Sequence, residues 1–112
     1  GGMPGSLNLD SSPFTDKVID AVTKNGGRLA AICAAPLVLG RRGLLKGKKA
    51  TCFPGFEEYL VGATVVDKKV VVDGNVITAK GMGAAFPFGL ELVRALKDGS
   101  TADKISASVF YE

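Results

Sequence analysis

Two thiols and one absence frame the chemistry open to this chain. Cys33 and Cys52 are its only cysteines, and its 112 residues contain no histidine. The chain by itself therefore cannot assemble a Ser-His-Asp or Cys-His catalytic pair, a His-ligated zinc or an HExxH helix. Two cysteines are too few for a disulfide framework or a cysteine-rich metal site, so no metal site is expected, and such sparse use points to a reducing compartment. Cys33 is the first candidate for covalent chemistry, because it closes the apolar run Arg28–Ile32 and opens the segment Ala34–Leu39. A thiol at a strand-to-helix junction faces the unpaired N–H groups and the positive dipole end of the helix, which stabilise a thiolate. Small Ala34 and Ala35 leave room for a ligand to approach. The competing reading, a buried and inert small hydrophobe, weighs about equally on position alone.

Other candidates carry weaker signals. Cys52 lies where a strand can end on the same sheet edge as Cys33, the side on which ligand crevices form. It is a candidate second thiol, although a packed strand residue is the plainer account. Glu57 and Glu58 are the glutamates nearest in sequence that could activate a thiol, but they fall on what reads as a solvated helical turn. Gly81-Met82-Gly83 precedes a helix, yet a dinucleotide loop would need a third glycine where Phe86 stands, and there is no GxxxxGK[ST] run. A tight turn accounts for it better. Arg41, Arg42, Lys46, Lys48 and Lys49 read as a solvated basic loop, since no interleaved aromatics form a stacking platform.

The elements that must position these residues alternate between helix and strand. Residues 1–10 hold three glycines, a proline and an asparagine, and read as a loop. Ser12-Pro13 gives a helix N-cap with proline at the first helical position, and Phe14, Val18, Ala21 and Val22 recur at helical spacing up to Asn25-Gly26-Gly27. Arg28–Ile32 suits a strand buried on both faces. A helix is expected from Cys33 to Leu39, broken by Gly40 and Gly43, then a short strand over Lys49–Phe53 closed by Pro54-Gly55 and a helical turn over Glu57–Leu60. Lys69–Val72 and Val76–Lys80, joined by Asp73-Gly74-Asn75, predict a β-hairpin. A long helix follows over Ala84–Lys97 with Phe88, Leu92, Val93 and Leu96 on one stripe, then a short helix from Thr101 and a strand-like Ser108–Tyr111. This order means an α/β fold with a mostly parallel sheet. About three strands besides the hairpin is few for such a sheet, whose mean is about five to six.

Fourteen basic residues against eleven acidic ones give +3. That balance is too mild to argue for a nucleic-acid or membrane partner. No apolar run approaches the roughly 20 residues of a membrane span. The opening Gly1-Gly2-Met3 admits two readings, a tag scar or a piece of a longer protein.

Ala30-Ala31-Ile32-Cys33-Ala34-Ala35-Pro36 is the most specific signal. It resembles the nucleophile elbow of the ThiJ/PfpI superfamily, in its Parkinson-disease-linked deglycase branch. Gly1–Leu9 resembles that family's glycine loop, Ala50–Pro54 the segment after the elbow helix, and Asp73–Gly83 the hairpin with its glycine turn. The resemblance covers essentially the whole chain. It implies that Gly1-Gly2 is native sequence and that residues 1–112 are the C-terminal portion of a single domain, with N-terminal strands and helix preceding them. The implied fold is α/β, a flavodoxin-like (class I glutamine amidotransferase-like) three-layer sandwich, incomplete in this chain.

Carried over by position, the resemblance makes Cys33 the nucleophile. The backbone N–H groups of Gly2 and Ala34 become the oxyanion-binding donors, with Gly1, Pro36, Phe53 and Met82 lining the pocket. The family's acid/base glutamate lies outside this chain. Phe53 stands where many relatives carry a histidine near the cysteine. Ala34 stands where the peptidase-like branch has one, which argues against a peptidase. The glutamine amidotransferases need a downstream histidine that is absent. The function implied is a cysteine-dependent enzyme on small reactive carbonyls, a glutathione-independent glyoxalase or deglycase, formally a hydro-lyase or hydrolase. The alternative is an oxidative-stress sensor or redox-regulated chaperone using an oxidisable Cys33. No cofactor is implied. The expected partners are a small-molecule carbonyl substrate, the N-terminal portion of the same protein and a second copy in a homodimer, with neither nucleic acid nor membrane; the expected location is cytoplasmic.

Overall fold

The computed structural model describes residues 1–111. Helix α1 spans Gly5–Ser11, α2 Pro13–Lys24, strand β1 Leu29–Ile32, and helix α3 Pro36–Gly40. Strands β2 (Lys49–Ala50), β3 (Thr64–Val65), β4 (Val70–Asp73) and β5 (Val76–Ala79) follow, then helices α4 (Ala85–Leu96) and α5 (Gly99–Ser108). The main sheet has the order β1-β5-β4, with β1 parallel to β5 and β4 antiparallel to it, and β2 and β3 form a separate parallel pair. The α/β architecture is therefore present. Helices α2 and α3 pack on β1, whereas α4 packs on β5 and β4 and carries α5. Among the described residues, no helix is long and apolar enough to cross a membrane.

The sequence places most elements, and the differences have local causes. Residues 1–10 are not all loop: the Ser6 and Asn8 amides donate to the Gly2 and Pro4 carbonyls at 2.9 Å, starting α1 as soon as the glycines and proline are passed. Ser12 caps α2 as expected, its hydroxyl accepting from the Phe14 amide. The buried face of α2, however, is Thr15, Ile19 and Val22, while Phe14, Val18 and Ala21 are exposed. Strand β1 is buried on one face only; Leu29 and Ala31 are inside and Ala30 is open to solvent.

Cys33–Ala35 is a turn, and α3 begins at Pro36, because Cys33 has φ 66°, which no right-handed helix accepts. Gly40 is the last residue of α3 rather than its breaker. Its missing side chain matters because a Cβ there would lie 2.2 Å from the Tyr59 carbonyl oxygen.

Strand β2 stops at Ala50. Beyond it the Thr51 amide bonds the Thr78 hydroxyl at 3.0 Å instead of a strand carbonyl, which ends the expected Lys49–Phe53 strand early. Strand β3 was not foreseen. Asp73 pairs with Val76, so the hairpin turns on two residues, Gly74 and Asn75, with Gly74 at φ 58°. In α4 the buried residue is Leu90, between half-buried Phe88, Leu92 and Val93, and Leu96 is exposed. Helix α5 starts two residues early, capped by Asp98 accepting from the Thr101 amide. The expected Ser108–Tyr111 strand is absent: Ser108 ends α5, Val109 and Phe110 form a turn, and Tyr111 stacks on Phe86.

Arg42 is the main departure from the solvated basic loop. Its Nη1 bonds Asp10 Oδ1 at 2.5 Å and the Val38 carbonyl at 3.0 Å, Nη2 bonds the Asp10 carbonyl at 2.8 Å, and Nε bonds Asp16 Oδ1 at 2.7 Å. Burial opposes its charge, but Asp16 and Asp10 outweigh that cost and hold its pKa above the usual arginine value. One side chain thus ties α1, α2 and α3 together. Charge-assisted bonds of this kind contribute about 1.5–3 kcal/mol each when partly buried, less as exposure rises. Replacing Arg42 with alanine is expected to lower stability by about 1–3 kcal/mol, read as a lower urea midpoint. Lys46→Ala, at an exposed site, should stay within about 0.5 kcal/mol. Equal effects of the two would contradict the role given to Arg42.

Candidate active site

Cys33 is built by the sheet on one side and a loop on the other. Strand β1 runs parallel to β5 up to the Ile32–Ala79 pair. At the next residue the Cys33 amide donates to the Ala79 carbonyl at 2.9 Å, and the Cys33 carbonyl accepts from the Phe53 amide at 2.8 Å. Both bonds hold while the backbone takes the left-handed φ of 66°. Such a conformation costs a non-glycine residue about 1–3 kcal/mol and persists only where its surroundings fix it. The result is a free, half-buried thiol at the carboxyl end of a strand, carried on a sharp turn into α3.

Gly1 lies against this turn. A Cβ on Gly1 would sit 2.9 Å from the Ile32 carbonyl oxygen and 3.3 Å from the Cys33 Cβ, so the loop approaches the thiol only because residue 1 has no side chain. Gly2 has φ 72° and open space around it. Ala34 is 1% exposed, yet its amide donates to no backbone carbonyl or side chain among the described residues. The amides at 35, 37 and 38 are by contrast engaged, with Ile32, Ala34 and Ala35. A buried N–H without an acceptor is rare in folded proteins. Pro36 is fully buried at the start of α3 and lines neither of the two cavities that follow.

Phe53 and Met82 are in a different position. They line a cleft of about 400 Å³ with Pro54, Lys69, Lys80, Gly81, Gly83 and Ala84. The Phe53 ring packs against Gly81, where a Cβ would meet it at 3.4 Å, and Met82 is 91% exposed. Cys33 itself does not line this cleft; it is joined to it through the Phe53 amide and through Ala79, the residue before Lys80.

Cys52 is only 3% exposed and lies two residues beyond β2. Burial first, then the charge of Glu57, pushes its thiol up to about 11, so it stays protonated at neutral pH. It lines a smaller cavity of about 290 Å³ with Thr51, Glu57, Asp67 and Lys80. Glu57 is not free to serve a thiol as base. Its carboxylate accepts the Gly55 amide at 2.6 Å, and bonds from its own amide and that of Gly55 hold its pKa below the usual range. Among the described residues, no group of three or more cysteine and carboxylate side chains is placed to hold a metal.

Residues 1–95 match the DJ-1/PfpI family. Drosophila melanogaster DJ-1beta is 40% identical over 86% of this chain and 52% of its own length. Its crystal structure superposes with a TM-score of 0.91, covering 100% of this chain and 61% of that one at 34% identity. The chain thus shares the flavodoxin-like fold of these proteins. A glutathione-independent glyoxalase of Caenorhabditis elegans, DJR-1.2, is 35% identical over 86% of this chain and 52% of its own length. A deglycase of Pyrococcus abyssi is 31% identical over 85% of this chain and 60% of its own length. The chain spans about half to three-fifths of the length of these curated relatives.

Sequence reasoning missed the two lysines of the cleft. Lys69 and Lys80 look like ordinary strand-end residues, and only the hairpin pairing brings them to one wall. The two thiols are predicted to differ sharply in reactivity. At pH 7 iodoacetamide should modify Cys33 while leaving Cys52 untouched, and Cys52 should begin to react as the pH rises through about 9 toward 11, as read by peptide mass spectrometry. Equal labelling of both at pH 7 in the folded protein would contradict the burial described.

Proposed function

The chain belongs to the DJ-1/PfpI family, and on that premise we propose that Cys33 is the nucleophile of an enzyme acting on small reactive carbonyls, of the glutathione-independent glyoxalase or deglycase type. The observation that carries the reading is the pairing of a half-exposed thiol on a left-handed turn with the buried Ala34 amide beside it, which has no acceptor among the described residues. That amide suits an oxygen that becomes negative as a carbonyl is attacked, and the Gly2 amide is assigned as its second donor. The relatives named as glyoxalase and deglycase support an enzymatic role.

In the proposed reaction the Cys33 thiolate adds to the aldehyde carbon of an α-oxoaldehyde, and the new alkoxide is held by the Ala34 and Gly2 amides until it is protonated to a hemithioacetal. A base removes the proton from that carbon to give an enediol, and the proton returns at the neighbouring carbon, leaving a thioester of a 2-hydroxy acid. Water cleaves the thioester, releasing the acid and restoring the thiol. Carbon oxidation at one centre balances reduction at its neighbour, so no cofactor is required. Glu57 is tied to Gly55 beside Cys52 and is not the base. We assign the base to a carboxylate from the N-terminal portion of the same protein. The strand order β1-β5-β4 leaves β1 with a single neighbour, and an edge of this kind is where further strands would add.

In the full-length protein, Cys33→Ala is expected to cut lactate formation from methylglyoxal by about a thousandfold or more, with the fold retained by circular dichroism. Unchanged lactate formation would overturn the reading. No turnover in the wild type, with peroxide taking Cys33 to the sulfinate, would favour the sensor function that uses the same thiol.

A further inference from the structure

We propose that the cleft beside Cys33 selects carbonyl substrates that carry an anionic group on a short apolar arm, with Lys69 and Lys80 recognising the anion. The inference deepens, and rests on, the carbonyl-enzyme reading. The cleft has a volume of about 400 Å³. Its walls are Phe53, Pro54, Met82 and Ala84, and its only charged lining residues are the two lysines. An apolar pocket with a few placed charges is the usual form of a site that fixes the orientation of a small molecule.

The pairing of the lysines is the decisive feature. Val70 lies opposite Ala79 in the antiparallel hairpin, and the Lys80 amide donates to the Lys69 carbonyl at 3.0 Å, so Lys69 and Lys80 face each other across the two strands. Like charges directly opposite in such a pair are destabilising. Asp67 relieves this only in part. It pairs with Lys80 through a carboxylate whose side chain is 87% exposed, an arrangement that water screens and a ligand can replace. Lys69 has no ion-pair partner among the described residues. An anion between the two ammonium groups would remove the remaining repulsion.

Both walls of the cleft are tied to the thiol's own backbone. Phe53 donates to the Cys33 carbonyl, and Ala79, next to Lys80, accepts from the Cys33 amide. On the proposed reading, a carbonyl held at Cys33 extends its arm past Phe53 toward the lysines.

The test uses the full-length protein with 4,5-dioxopentanoate, an α-oxoaldehyde with a carboxylate arm, against its neutral methyl ester. The wild type is expected to prefer the acid by about threefold to tenfold in kcat/KM, the scale of one or two partly exposed ion pairs. Lys69→Gln should bring the acid-to-ester ratio close to one, while Lys68→Gln, the same charge change on the neighbouring exposed residue outside the cleft, should keep it. Equal kcat/KM for acid and ester in the wild type, or equal loss of preference in both variants, would overturn the proposal. If neither compound is turned over and methylglyoxal is not turned over either, the carbonyl-enzyme reading fails, and binding then decides the cleft by itself. In calorimetry the wild type should bind levulinate more tightly than methyl levulinate, a preference lost in Lys69→Gln. Equal binding, or no binding of levulinate, would overturn the proposal.

Discussion

The Cys33 amide is bonded to Ala79 on one side and the Cys33 carbonyl to Phe53 on the other, with φ held at 66° between them. An isolated cysteine would leave that conformation, because the left-handed region costs an L-residue about 1–2 kcal/mol. Here relaxing φ would break a bond to β5 or a bond to the loop after β2. The sheet register thus fixes the thiol: the parallel ladder of β1 on β5 delivers Cys33 to the point where the next carbonyl of β5 is Ala79. The same two bonds set where the cleft lies, since Phe53 and the residue after Ala79 are its walls.

The glycine loop depends on a second constraint farther away. Gly1 approaches Cys33 closely, and α1 begins four residues later. Arg42 bonds Asp10 at the end of α1, Asp16 in α2 and the Val38 carbonyl in α3, so it holds the helix that follows the loop against the helix that follows Cys33. Buried Leu37 and Leu45 and the close contact of Gly40 with the Tyr59 carbonyl pack the other side of α3. Position of the loop, turn and helix is therefore a shared property of one charged cluster and one small apolar core.

Much of this was legible in the sequence because it is written locally. The apolar run before Cys33 and the Ser12-Pro13 cap act within a few positions and marked their elements, and Gly74 marked the hairpin, although it turns on two residues instead of three and the helix expected from Cys33 starts only at Pro36. The resemblance of residues 30–36 and 1–9 to one family supplied the pairing of loop and turn. What was not legible depends on residues far apart in sequence. Arg42 finds Asp10 across 32 positions, Thr78 stops β2 by taking the Thr51 amide, and Lys69 meets Lys80 only through the hairpin. Nor does helical spacing say which stripe of α2 is covered, because Ile19 rather than Phe14 or Val18 meets β1 and its neighbours.

A half-exposed thiol beside an unused buried amide, next to a second thiol kept protonated by burial, divides the labour between the two cysteines. On the proposed reading, Cys33 is the thiol that forms the covalent intermediate with a carbonyl. The most direct measurement is to quench the full-length protein during turnover of methylglyoxal and map the adduct by peptide mass spectrometry. A lactoyl or hemithioacetal adduct on the Cys33 peptide, absent from the Cys52 peptide and discharged on further incubation, is the predicted result. Adducts confined to lysines or to Cys52, with Cys33 unmodified while product accumulates, would contradict it.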